Sequence, residues 1–301
     1  MIDFKPVEIE DLNRLTPFLR RYGSSSCQHA FVSMLGLKEK YMDEFCFISD
    51  ILYVHRLGRD HDGYRVYLAP IGEIRDFGEA LSNIVSDAHE RGFKVSFETI
   101  CEDFKEVLCN ISDDFEITYD RDYSEYIYSV DNMSVLPGRA LAPKRNRIRA
   151  FYSDYEGHIR IENINKDNIE AVKVYQSEWL AERKKTLEDS MLDTENKAVS
   201  LYLNHFEEFG FKGIVVSVYG KIVGYAAGFP LSEDTMDETI EKGSRNITGI
   251  YQLLCNEFAV ICCKDYRYIN REEDIGLPGL RRAKESYCPV RMIDKYIAKE
   301  K

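Results

Sequence analysis

Apolar and polar residues follow one another along this chain in two rhythms, and the order in which the rhythms alternate predicts its elements. Residues 7 to 21 place Ile9, Leu12, Leu15, Phe18 and Leu19 at helical spacing. Glu8 and Glu10 stand early and Arg20 and Arg21 late, as the helix dipole favours. Past Gly23 and a serine run the period shortens, and FCFISD and ILYVHRL between Phe45 and Leu57, then YRVYLAP from Tyr64 to Pro70, read as three strands. A helix is expected over residues 78 to 92, with Leu81, Ile84, Val85 and Ala88 on one face and Gly92 free to take a left-handed cap. A strand at 93–100, a short helix at 102–110 and a strand at 115–119 follow.

Residues 120 to 149, tyrosine-rich and then basic, read as a junction. Beyond it come helices at 167–183 and 195–209, then the clearest β signal in the chain, GIVVSVY and IVGYAAGF around the tight turn Gly220-Lys221. A helix at 246–263, a strand at 266–270, a helix at 278–287 and a final strand at 290–297 complete the second half. Both halves run helices, antiparallel strands, helix, strand, short helix, strand. That order predicts an α/β (α+β) protein of two tandem domains, 1–140 and 141–301, each a mixed, mostly antiparallel sheet flanked by helices. A length of 301 residues agrees, because one hydrophobic core seldom fills so long a chain.

Composition narrows the partners. With 44% hydrophobic and 12% aromatic residues the chain is globular, and a net charge of −12 argues against coating nucleic acid or an anionic membrane. Against that acidic background Lys144, Arg145, Arg147 and Arg149 put four positive charges into six residues. The eight cysteines form no C-x-x-C pair, so no zinc site or other metal centre is predicted, and they read as small buried residues in a reducing compartment. No apolar run approaches the roughly 20 residues of a membrane span, and MIDFKPVEIEDLNRL lacks the features of a signal peptide. A cytoplasmic protein without a transmembrane segment is expected.

Three longer strings, DYSEYIY (122–128), KRNRI (144–148) and INREEDIGLPGLRRAKESY (269–287), together with the Gly213–Phe229 hairpin, resemble the DUF2156 family of soluble bacterial proteins. That family is related to the C-terminal domain of phosphatidylglycerol lysyltransferases. The resemblance covers nearly the whole chain and implies two tandem GNAT-like acyltransferase domains, the C-terminal one being the better candidate for activity. It implies transfer of an aminoacyl group from an aminoacyl-tRNA to an amine or hydroxyl acceptor, small or lipid-like. Two other readings stand beside it: an acyl-CoA-dependent N-acyltransferase, and a degenerate GNAT pair that binds a ligand or partner without chemistry.

GNAT enzymes that use acetyl-CoA hold its pyrophosphate in a glycine-rich loop before a helix. Here LSEDTMDETIEKGSRNITG is expected to form that loop, and its acids would repel a pyrophosphate, leaving only Lys242, Gly243, Ser244 and Arg245 as a partial cradle. No cofactor is therefore assigned, and aminoacyl-tRNA is preferred to acyl-CoA as donor. The two splayed central strands of such a site are expected at 222–229 and 266–270, with Gly224 and Gly228 letting a substrate approach the backbone, or simply packed beneath a helix.

Glu272 and Asp274, near Glu273 at the end of a strand, are candidates to deprotonate an attacking amine or bind a cationic side chain; an acidic helix start is the plainer alternative. Tyr287, late in a helix, is a candidate to protonate the leaving group. Lys144, Arg145 and Asn146 are expected to meet a polyanionic donor, and Asn270, Arg271, Arg281 and Lys284 to bind substrate, the last two from one helical face. Trp179, the sole tryptophan, reads as a core or cleft residue.

Overall fold

The computed structural model describes residues 1–185 and 190–301. In chain order its elements are β1 (Lys5–Pro6), α1 (Leu12–Tyr22), α2 (Phe31–Gly36), α3 (Lys38–Tyr41), β2 (Asp43–Ile48), β3 (Ile51–Arg56), β4 (Tyr64–Tyr67), α4 (Phe77–Glu90), β5 (Lys94–Ile100), α5 (Glu102–Ile111) and β6 (Phe115–Tyr119). They continue as β7 (Glu125–Ser129), α6 (Val130–Val135), α7 (Ala142–Asp154), β8 (Ile159–Asn163), α8 (Ile169–Lys184), α9 (Ser190–Asn204), β9 (Lys212–Val218) and β10 (Lys221–Pro230). The last are β11 (Thr235–Gly243), α10 (Ile250–Cys262), β12 (Tyr268–Asn270), α11 (Pro278–Glu285), β13 (Arg291–Ile293) and β14 (Tyr296–Glu300).

Two compact units result, one of Met1–Glu125, Glu273–Gly276 and Met292–Lys301, the other of Tyr126–Glu272 and Leu277–Arg291. The division falls at Glu125, ahead of the junction expected at residue 140, because β7 hydrogen-bonds along β12 of the second sheet. Residues 120–149 are thus largely a strand and two helices. The last strand expected, 290–297, is two strands: β13 joins the second sheet, and β14 lies between β5 and β6 of the first.

The first sheet runs β1-β2-β3-β4-β5-β14-β6, with its parallel pair, β4 and β5, joined through α4. Asp76 caps α4 by accepting from the Glu79 N–H at 3.0 Å, and Gly92 beyond its C-cap takes φ +83°. Ile84 and Ala88 of α4 pack with Tyr67, Val95, Phe97 and Ala298 in that unit's core.

The second sheet runs β13-β7-β12-β11-β10-β9-β8. The predicted hairpin is β9–β10, its two turn residues Tyr219 and Gly220 both at positive φ, as the twist of a two-residue turn demands. β11 and β12 form the parallel pair, connected through α10, whose Leu253, Leu254 and Phe258 are fully buried together with Tyr225, Ala226 and Met236 of the sheet. Each unit is therefore a mixed, mostly antiparallel sheet with flanking helices, as the order of elements predicted.

Candidate active site at the parting of two parallel strands

β11 corrects the most consequential expectation. Residues 235–243, read from sequence as part of an acidic phosphate loop, are a central strand, and only Ser244 to Gly249 link it to α10. The acids that seemed to repel a pyrophosphate point from a sheet instead, and the segment before the helix carries one charge, Arg245. Gly249 in that segment, at φ +86°, is needed for packing: a Cβ there would lie 2.6 Å from the Arg147 carbonyl oxygen of α7. Lys242 does not serve a cradle, since its ammonium pairs with Glu195 and lies 4.5 Å over the Trp179 ring. Trp179, half-buried, donates its indole N–H to the Gly243 carbonyl at 3.2 Å.

The expected pair of splayed strands is corrected too, because β11 separates β10 from β12. β11 and β12 are the strands that part. They pair from Thr235↔Tyr268 to Asp237↔Asn270, after which β12 ends while β11 continues along β10. Just there the β10–β11 register slips: Ala227 faces Ile240 and Phe229 faces Asp237, so Glu238 and Thr239 both stand opposite Gly228. Such a bulge breaks strict alternation and allows residues three apart, Glu238 and Glu241, to point to one side. Gly228 belongs to the bulge rather than to a substrate path, since a Cβ on it would come within 1.7 Å of the Asp237 carbonyl oxygen. Gly224 likewise packs under α10, its absent Cβ 3.0 Å from Ile250 and Leu254 side-chain atoms.

Arg271, the first residue beyond β12, fills the opening. Its Nε lies 2.6 Å from Glu238 Oε2 and its Nη2 pairs with Glu241. The guanidinium is 5.3 Å from the Tyr287 ring centroid and 5.7 Å from that of Tyr128. Cys255 of α10 donates its thiol to Glu241 at 3.2 Å. The Tyr287 hydroxyl, buried beside that thiol, has no nitrogen or oxygen partner. Lys144 of α7 closes the arrangement, its ammonium 4.2 Å over the Tyr287 ring and 2.6 Å from Ser286 Oγ. Behind Arg271, Lys284 donates to the Arg271 carbonyl, and the Tyr128 hydroxyl donates to the Lys284 carbonyl at 2.8 Å.

The electrostatics separate the two carboxylates. Burial pushes Glu238 up from 4.5 to about 8, against the pull of the Arg271 guanidinium whose Nε touches its Oε2. Glu241 is more exposed and takes the direct Arg271 and Cys255 contacts. Burial raises the Cys255 thiol and the Tyr287 phenol well above their ordinary values and lowers Lys144. Ligand atoms of Glu238, Glu241 and Cys255 lie within 4.8 Å of one another, close enough for a divalent ion, but the Arg271 guanidinium already balances the carboxylates.

Among the residues expected from sequence, Arg271, Tyr287, Lys144 and Lys284 come together here, with Asn270 buried beneath them and accepting the Glu272 N–H at 2.8 Å. Glu272 sits in this unit at φ +56°. Asp274 and Glu273 belong to the other unit, where Asp274 is fully buried, accepts from Arg121 at 3.2 Å and takes the Gly276 N–H at 3.0 Å. Arg145 donates to the carbonyls of Leu136 and Gly138, closing the turn after α6. Asn146 is exposed, and Arg281 is half-buried on α11. Sequence reasoning missed Glu238, Glu241 and Cys255. Their one legible signal was the acid-rich DETIE string, which a loop explains as readily as a strand.

The chain matches the family described as "Phosphatidylglycerol lysyltransferase, C-terminal" over residues 19–299. A conserved protein of unknown function from Bacteroides thetaiotaomicron is 30% identical, with each chain covered in full and a TM-score of 0.92. The C-terminal domain (DUF2156) of a putative lysylphosphatidylglycerol synthetase from Agrobacterium fabrum has the same fold at 14% identity and a TM-score of 0.68, over 97% of this chain and 92% of that one. An uncharacterized protein of Mycoplasmoides gallisepticum is 21% identical over 187 residues, a match that spans 62% of this chain and 59% of that relative. Among the described residues no helix is long and apolar enough to cross a membrane. A match over nearly the whole length, on a fold whose second sheet opens around Arg271, places this chain in the phosphatidylglycerol lysyltransferase C-terminal family.

Proposed function

We propose that the second unit transfers an aminoacyl group from an aminoacyl-tRNA, or a donor of like chemistry, to an amine or hydroxyl acceptor in the cytoplasm. The observation that carries this reading is the pair Glu238 and Arg271: a carboxyl titrating near neutrality beside a guanidinium, at the parting of β11 and β12. A base is most effective when its pKa lies near the working pH, and Glu238 meets that condition through burial. In the proposed step the acceptor nitrogen or oxygen forms a bond to the ester carbonyl carbon, and its proton passes to Glu238. Arg271 faces the oxyanion that develops. The carbon–oxygen bond to the donor ribose then breaks, and the proton returns to the leaving oxygen. Lys144, at the mouth of the site and attracted to phosphate, steadies the donor.

A panel of labelled aminoacyl-tRNAs and CoA thioesters, offered to the full chain, tests this. Label released from an aminoacyl-tRNA into a new amide or ester, and lost in Arg271→Ala, is the expected result. Transfer from CoA thioesters alone would make the protein an acyl-CoA N-acyltransferase, a reading that regains ground because the acids of β11 do not form the helix-entry loop. Binding without turnover of any donor would make it a non-catalytic GNAT pair.

A further inference from the structure

β8 ends the second sheet, bonded to β9 on one side only. The bonds flanking it, Ile164 N–H to the Gly213 carbonyl at 2.8 Å and Tyr219 N–H to the His158 carbonyl at 3.1 Å, show that the even-numbered residues turn their backbone groups toward β9. In an antiparallel ladder the groups of the intervening residues, Ile159, Ile161 and Asn163, then face the open edge. The Asn163 carbonyl is occupied by the side-chain amides of Asn165 and Asn168, at 3.2 and 2.9 Å, while the Asn163 N–H still faces outward. Ile159, Ile161 and that N–H form an open template for another strand, in which the N–H can meet an Ile159 carbonyl.

The sequence of this strand, Ile-Arg-Ile-Glu-Asn, complements itself when reversed about Ile161. Two copies aligned antiparallel on Ile161 set Arg160 opposite the partner's Glu162, and Glu162 opposite the partner's Arg160, on one face of the ribbon. Opposite charges directly across a strand pair stabilise it, and like charges there oppose it. Within one chain Arg160 and Glu162 are already 2.7 Å apart, so both heads lie on that face. The other face supplies apolar area: Ile159 and Ile161 line a cavity of about 660 Å³ with Tyr152, Ser153, Glu156 and Gly157. Tyr219, 62% exposed, stands opposite His158 at the start of the strand, the two rings 4.2 Å apart. β6, an edge strand of the first sheet, lacks this property, since reversal about Ile117 sets Glu116 opposite Thr118.

We propose that β8 is a dimerisation edge whose occupant is a second copy of this chain, paired antiparallel about Ile161 and extending the second sheet across a two-fold axis. One five-residue strand with an aromatic flank makes a small interface, so weak association, seen at the upper end of a concentration series, is expected.

Sedimentation velocity over a concentration series of the full chain tests this, with each variant checked by its melting temperature. The wild-type chain is expected to move from one to two chain masses as concentration rises. Arg160→Glu sets acids opposite one another at both ends of the pairing and should weaken association at least ~10-fold. Adding Glu162→Arg to that variant reverses both charges and should restore the dimer. Ile161→Pro removes only an outward-facing N–H, which an edge strand tolerates, so the fold should persist while the dimer is lost. A wild-type chain that stays monomeric overturns the proposal, whether the edge is bare or takes another protein's strand. So does a dimer indifferent to Ile161→Pro, or a double charge reversal that fails to restore what Arg160→Glu broke.

Discussion

Lys295 in the first unit and Arg271 in the second are both cations taken out of water beside carboxylates, yet their surroundings differ in kind. Lys295 is fully buried, 2.8 Å from Glu125 Oε1 and bonded to Ser26 Oγ. Glu125 in turn accepts from Ser26 Oγ at 2.6 Å and from the Cys27 N–H at 3.0 Å. Burial opposes the Lys295 charge, but Glu125 outweighs it and holds the ammonium above its ordinary range. Arg271 shares its charge between two carboxylates of which one, Glu238, is pushed up to about 8 by burial despite that contact, and its neighbour Tyr287 has a hydroxyl with no oxygen or nitrogen partner. A closed network rigidifies a core, whereas polar atoms left open beside a charge are where a substrate group can be received. The two clusters teach how to tell a structural ion pair from a candidate site when both are buried.

The largest effects should come from removing either cation. Arg271→Ala leaves Glu238 and Glu241 facing each other without compensation and is expected to cost about 3–5 kcal/mol of stability, read by denaturant unfolding, and to abolish transfer. Lys295→Met should cost a similar ~3–5 kcal/mol by stranding Glu125. The comparison breaks if transfer per folded molecule is lost with Lys295 and kept without Arg271.

Next comes pH. The folded value of Glu238 is raised, so the native state holds its proton more tightly than the unfolded chain does. Its contribution to stability is complete below about 4.5 and is lost as pH rises through about 8. Glu238→Gln should flatten that decline in a series of melts across this window, and should slow transfer by ~100-fold or more if the carboxylate is the base. A decline that persists in the variant would assign it to other groups.

Lys144→Ala should weaken donor binding by about 10-fold at low ionic strength and by less as salt is added, which titration at two salt concentrations would show. The smallest effect is expected from Asp274→Asn. It loosens the Arg121 contact for about 1–3 kcal/mol in unfolding experiments and leaves transfer unchanged, because this acid belongs to the first unit's own packing.

The elements that could be read from sequence were those whose burial is one-sided and regular. α4, with its apolar face and Gly92 cap, and the β9–β10 hairpin stand where periodicity placed them, within a few residues. β11 escaped because a buried strand is usually apolar, and this one carries Glu238 and Glu241, met by Arg271 from beyond another strand, and Asp237, which accepts from the Thr239 hydroxyl at 2.7 Å. β8 escaped because its residues are half exposed.

For the site, sequence supplied Arg271, Tyr287, Lys144 and Lys284 through the resemblance, and charge patterning drew attention to residues 144–149. It placed Glu272 and Asp274 side by side, which along the chain they nearly are. A left-handed turn at Glu272 sends the two residues into different units.

By itself, then, the sequence determined the family, the order of helices and strands and the chemical type of the cation at the site, since periodicity and residue chemistry are local properties. Which carboxylates meet Arg271 was decided only by tertiary structure. A register slip opposite Gly228 aims Glu238 and Glu241 to one side, and the withdrawal of water from Glu238 sets its proton affinity; neither is a property of the residues in chain order.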